Sequence, residues 1–269
     1  RPEAKMRTAL AAFVAALLLS TPATAMPSDA RIAQILADRI DRDEANIGIA
    51  VAVIEDGRPR FVSHGTMAAG DPRPVDEHTL FEAGSISKVM TNLLLAQLVV
   101  EGRMDLDAPL ADYLPKGTVL PEHDGDVITA FDLATHTAGF SGLPEDILAR
   151  GAANPYSGYG AGELMTWIAD YELTRPIGDT FEYSNVGIAL LGQAIEHVTG
   201  RPYAELIEER ILAPLNMTET RLATAPDAIA SMATGHDAVG EPVPHWDMDA
   251  FAPAGALVSS TTDLAKFIA

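Results

Sequence analysis

Between Ser87 and Glu101 the chain reads SKVMTNLLLAQLVVE, apolar around nearly the whole circumference of a helix. A helix with almost no polar face has to be buried, so the rest of the chain must pack around it. Gly102 follows where a helix closes on a left-handed residue. The 269 residues, 48% of them hydrophobic, can supply such a core, and that apolar fraction excludes wholesale disorder.

The flanking segments say what surrounds this helix. Asp29 to Asp43 places Ile32, Ile35, Leu36, Arg39 and Ile40 at helical spacing. Ile47 to Ile54 is rich in β-branched residues, Asp56-Gly57 is a tight-turn pair, and Arg60 to Ser63 returns as a second strand. Two more helices are predicted, Val186 to His197 before Gly200 and Tyr203 to Leu212 before Pro214, while glycine- and proline-rich loops occupy about 136–161. No Pro/Gly/Ser linker divides the chain. The expected organisation is a sheet part over about 29–80, with a mostly helical part over about 81–250 inserted into the sheet domain.

The first 25 residues are expected to lie outside the fold, a single domain over 26–269. Arg1 to Lys5 precede Met6 and are read as upstream residues. Met6-Arg7, the apolar run Ala9 to Leu19 and Ala23-x-Ala25 read as an export signal cleaved before Met26, since the run falls well short of the ~20 residues of a membrane span. A periplasmic or secreted protein with no span after signal removal is expected. At the other end Ser260-Thr261-Thr262-Asp263 starts a helix just before the chain stops at Ala269, which reads as a C-terminal truncation.

Several chemistries are excluded. With no cysteine there is no disulfide framework, thiolate metal site or cysteine nucleophile. The formal charge of −20 disfavours nucleic acid and anionic lipid as partners. The seven histidines show no H-E-x-x-H spacing, so no metal is expected, and no phosphate- or dinucleotide-binding loop points to a cofactor. No serine satisfies G-x-S-x-G.

One constellation does carry chemistry. Ser85 and Lys88 stand three residues apart where a loop enters the buried helix, so both side chains share one face. A serine hydroxyl needs an adjacent base, and a lysine serves when an apolar surround and a helix N-terminus disfavour its ammonium. The Ser85 N–H, at that same N-terminus, is a candidate oxyanion donor. Alone, this spacing also fits a serine N-cap followed by a solvated lysine. Further on, Glu182-Tyr183-Ser184-Asn185 again opens an apolar helix: Tyr183 offers a phenol for proton transfer and Asn185 an amide for a substrate carbonyl. A buried tyrosine and an asparagine cap fit the same residues.

Taken in order, TLFEAGSISK (79–88), EGRMDLD (101–107), LATHTAG (133–139), PIGDTFEYSN (176–185), PLNM (214–217) and AGALVSS (254–260) resemble the penicillin-recognising serine hydrolases, the group of class C β-lactamases, DD-peptidases and family VIII carboxylesterases. The resemblance covers about 45–269. It implies an α/β (α+β) fold of the β-lactamase/transpeptidase type, an antiparallel sheet flanked by helices with an inserted all-α domain and the site in the crevice between. It implies Ser85 as acylated nucleophile, Lys88 as its activating partner, Tyr183 as general acid/base and Asn185 as a substrate-orienting amide. The expected substrate is a β-lactam or D-Ala-D-Ala-type amide, with short-chain esters as the alternative, or an inactive penicillin-binding-like fragment. The chain departs from the group in two places: Glu145-Asp146 follows Leu143-Pro144 where class C β-lactamases carry a glutamine, and no third motif (Lys-x-Gly, His-x-Gly or Trp-Gly-Gly) occurs up to Ala269.

Overall fold

The computed structural model describes residues 26–150, 153–223 and 231–269. The upstream residues and export signal read over 1–25 lie outside them. Helix α1 (Asp29–Ala37) starts at Ser28, whose hydroxyl accepts the Arg31 N–H, and continues through a π-helical turn, Asp38–Arg42. Only Ile32 and Leu36 of its apolar positions are buried. They pack on strand β1 (Gly48–Glu55), which pairs with β2 (Arg58–Gly65) from Gly48↔Gly65 to Glu55↔Arg58. Asp56 and Gly57 both have positive φ, the turn geometry whose twist matches a two-residue hairpin.

Strand β3 (Phe81–Glu82) leads through a 3₁₀ turn, Gly84–Ile86, into α2 (Ser87–Val100). Gly102 adopts φ 69° just beyond it. The burial of α2 is broad but not complete: Met90, Leu94, Leu95 and Leu98 face the core, whereas Val89 and Val100 are exposed. Apolarity on every face therefore overstated its enclosure. Helix α3 (Ala130–Ala134) begins with a reciprocal Thr129–Asp132 capping box. The loop region expected over 136–161 contains a short helix, Glu145–Ala149, and α4 (Ala161–Asp170) follows it. Helix α5 (Asn185–Thr199) is capped by the Ser184 hydroxyl and closed by Gly200 at φ 69°. The helix expected over 203–212 is α-helical only in α6 (Tyr203–Ile207) and becomes a π turn over Glu208–Leu212.

The last part of the chain returns to the start of α2. Strand β4 (Arg221–Leu222), helix α7 (Ala252–Gly255), strand β5 (Leu257–Ser259) and helix α8 (Thr261–Ile268) follow in order. Strand β5 lies between β3 and β4 and pairs antiparallel with both, Phe81↔Ser259 and Arg221↔Val258 among the partners. Asp263, fully buried, accepts N–H bonds from Glu219 and Thr220 at 2.8 Å each and binds Lys266 at 2.7 Å, which fastens α8 to the loop before β4.

The main core is helical. Met90, Leu94 and Leu98 of α2 meet Leu190, Leu191 and Ile195 of α5, Leu164 and Ile168 of α4, and Leu206 and Ile207 of α6. The hairpin and α1 form a separate, smaller cluster. Helix α5 approaches α7 so closely that a Cβ on Gly192 would lie 2.2 Å from Pro253 Cγ. Among the described residues no helix is long and apolar enough to cross a membrane, and no cluster of three His, Asp or Glu is arranged to hold a metal.

Candidate active site

The turn carrying Ser85 is pinned at both ends. Ala83 donates its N–H to Leu257 O at 2.8 Å, extending the β3–β5 ladder by one residue. The Ser87 hydroxyl donates to Gly84 O at 2.7 Å and accepts the Leu257 N–H at 3.0 Å. Gly84 has φ 52°, a conformation in which a side chain is disfavoured. Local turn and distant strand therefore fix where the Ser85 hydroxyl emerges.

Ser85 Oγ lies 2.5 Å from the Tyr183 hydroxyl and 3.1 Å from Lys88 Nζ. The i, i+3 spacing brings serine and lysine together as the sequence predicts, although Ser85 belongs to the 3₁₀ turn and Lys88 to α2. Lys88 is 6% exposed, and its ammonium also donates to Ala254 O of α7 at 2.6 Å and sits 4.8 Å from the Tyr183 ring centroid. Burial pulls its pKa below the ordinary lysine value, and the Tyr183 phenol only partly opposes this. Burial pushes the Tyr183 phenol up, but hydrogen bonding to Lys88 and Ser85 together with the ammonium charge outweighs it, leaving the phenol below its ordinary value. Serine, lysine and tyrosine thus form one hydrogen-bonded group, and Tyr183, 43% exposed, is its open side.

The carbonyl next to the one that receives Lys88 is braced. Thr91 Oγ1 donates to Pro253 O at 2.7 Å and also lies 2.7 Å from the Tyr203 hydroxyl. With the threonine proton spent on Pro253, the Tyr203 phenol is the donor in the second bond. Burial raises the Tyr203 pKa, which keeps that proton in place.

Asn185 opens α5, and its N–H donates to Gly142 O at 2.9 Å. Among the described residues its side-chain amide has no hydrogen-bond partner, so the structure does not tie it to Ser85 or Lys88. His136, one of seven scattered histidines, carries no motif of its own and yet stands at this site. It lies just beyond α3, and its ring packs on that of Tyr183 at 4.8 Å between centroids. Its only sequence signal is its place between α3 and Gly139 in LATHTAG.

A family model described as Beta-lactamase matches residues 29–269. A beta-lactamase of Pseudomonas fluorescens is 29% identical over 221 residues, covering 82% of this chain and 58% of that protein. The D-alanyl-D-alanine-carboxypeptidase/endopeptidase AmpH of Escherichia coli K12 is 31% identical over 192 residues, covering 71% of this chain and 49% of that protein. The chain therefore spans only about half the length of these curated relatives. Among solved structures, a beta-lactamase/D-alanine carboxypeptidase from Yersinia pestis superposes with a TM-score of 0.74 at 26% identity, over 90% of this chain and 68% of that one. A class C beta lactamase from Rhodobacter sphaeroides gives a TM-score of 0.72 at 29% identity, over 88% and 64%.

Proposed function

Because the chain belongs to the beta-lactamase family, we propose that it is a serine hydrolase working through an acyl-enzyme on Ser85, with β-lactam or D-Ala-D-Ala-type amides as its substrates. The observation that carries this reading is the short contact of Ser85 Oγ with both Tyr183 and Lys88. In the acylation step Ser85 Oγ bonds to the substrate carbonyl carbon while its proton passes to the Tyr183–Lys88 pair. The Ser85 N–H at the helix mouth receives the developing oxyanion. The carbonyl–nitrogen bond then breaks, the leaving nitrogen takes a proton from Tyr183, and an ester to Ser85 remains. Water hydrolyses that ester as the pair accepts and returns one proton. Asn185 orients the substrate carbonyl side through its amide.

The names of the relatives favour amide substrates, and two of them name a β-lactamase and a D-alanyl-D-alanine carboxypeptidase. Export completes the proposal: the segment before Met26 acts as a leader and the mature enzyme works in the periplasm or outside the cell, which N-terminal sequencing of the processed protein checks. Activity is tested with nitrocefin, a D-Ala-D-Ala peptide and a short-chain p-nitrophenyl ester. Turnover of either amide above the ester supports the substrate class, and ester turnover alone replaces it with a carboxylesterase. Ser85→Ala is expected to abolish turnover and labelling by a fluorescent penicillin; unchanged turnover would sink the assignment.

A further inference from the structure

We infer that His136 is a positioning residue that clamps Tyr183 against Ser85, and that it does so as a neutral imidazole with its proton on Nε2. This rests on Tyr183 acting as the proton shuttle. Four consecutive residues touch His136. Phe181 meets the ring edge-on at 5.7 Å between centroids, and Glu182 donates its N–H to His136 O at 2.8 Å. The Tyr183 ring lies along the imidazole at 4.8 Å and 33°, and Ser184 donates its N–H to Nδ1 at 3.1 Å. The residue before the shuttle, the shuttle and the residue after it are thus held by one side chain and its own carbonyl.

The backbone is built for this. His136 has φ 60°, an uncommon conformation for a residue with a side chain, and the corner turns both its carbonyl and its ring toward 181–184. Thr137 O accepts the Gly178 N–H at 2.9 Å, which fixes the far end of the same loop. Tyr183 needs such support because it is nearly half exposed yet must keep its hydroxyl in contact with Ser85. A misplacement of about 1 Å in a reacting group costs on the order of 10²-fold in rate.

The Ser184 N–H needs the Nδ1 lone pair, which assigns the proton to Nε2. The titratable groups facing the ring are Tyr183 and Lys88, while the Glu182 carboxylate is engaged by Arg175. Burial first, and the Lys88 charge second, hold the imidazole below its ordinary value. On protonation Nδ1–H would face Ser184 N–H, two donors head to head, and the clamp would open.

Two substitutions separate ring from acceptor. Asparagine in His136→Asn keeps an acceptor near the Nδ1 position and tolerates the left-handed backbone, but has no ring. His136→Phe keeps a ring and loses the acceptor. We expect kcat to fall about tenfold in the first and about 100-fold in the second, with KM little changed, in line with a displaced reacting group. Below the ordinary imidazole value of about 6.5 the wild-type kcat should fall more steeply with pH than protonation of the base alone requires, and this extra steepness should vanish in His136→Asn. Nitrogen-15 NMR of the wild type should show Nδ1 unprotonated and Nε2 protonated at neutral pH. A protonated Nδ1, an unchanged kcat in His136→Phe, or survival of the extra low-pH steepness in His136→Asn overturns the inference. A wild type that turns over none of the amide or ester probes defeats the hydrolase reading instead, and the NMR spectrum still decides the state of His136.

Discussion

A lysine ammonium beside a serine is useful as a base only to the extent that it gives up its proton. Lys88 is held in that condition by burial, and the Tyr183 phenol beside it is drawn below its ordinary value of about 10. A base works in its deprotonated form, so activity should rise with pH and a lowered pKa should move that rise to lower pH. The kcat–pH profile is expected to rise with pH through a midpoint below 10. Tyr183→Phe removes the phenol, and kcat should fall by about 10²- to 10⁴-fold, the usual contribution of a positioned acid–base group. A midpoint at or above the free phenol value would contradict the coupling between the two residues. At this scale much was legible: i, i+3 spacing at a helix mouth put Ser85 and Lys88 on one face, and the ordered motifs around them favoured their contact over a solvated lysine. Tyr183 stood out by its position before a second helix, and the family resemblance linked it to Ser85. His136 did not, because its role depends on a left-handed corner that brings it against residues more than forty positions away.

Elements hold those residues through contacts that leave almost no trace in sequence. Helix α7 meets α5 at Gly192 and meets α2 through Thr91. Gly192→Ala would drive a Cβ into the rigid Pro253 ring, so one helix must move, at a cost of about 1–3 kcal/mol. A thermal or urea melt measures that loss, and kcat should drop with it because α7 carries the carbonyl that receives Lys88. Tyr203→Phe deletes a buried donor to Thr91 and should cost about 1–3 kcal/mol with no overpacking; a melt unchanged from wild type would mean the network is dispensable. The long helices announced themselves by periodicity and by glycine stops at Gly102 and Gly200. The sheet of β3, β5 and β4 did not, since strands of two or three residues are too short for any alternation to register. The π turns after α1 and α6 escaped for a related reason: their residues keep nearly helical spacing while the hydrogen bonding changes.

Across the whole molecule, apolar burial is unevenly shared. The helical core gathers side chains from α2, α4, α5 and α6, whereas the hairpin and α1 rest on Ile32, Leu36 and Val53 with a few partly buried neighbours. Local opening follows the density of buried contacts. Amide hydrogen exchange is therefore expected to be faster in β1 and β2 than in α5; equal protection in both would show that the molecule opens as one unit. The antiparallel pairing of β1 with β2 was foreseeable from the β-branched runs on either side of Asp56-Gly57. That the last strand returns to sit beside Phe81 was not, because the pairing joins residues far apart in the chain.

The bond from Lys88 to Ala254 O has an evolutionary side. A peptide carbonyl belongs to every residue, so no single amino-acid replacement at position 254 can delete this acceptor. It also carries no proton of its own, and its pull on the ammonium stays constant across the pH range. A lineage exploring new substrates can exchange the side chains around the crevice while this anchor persists. Only a change in the course of the main chain, by insertion, deletion or a shifted turn, would remove it.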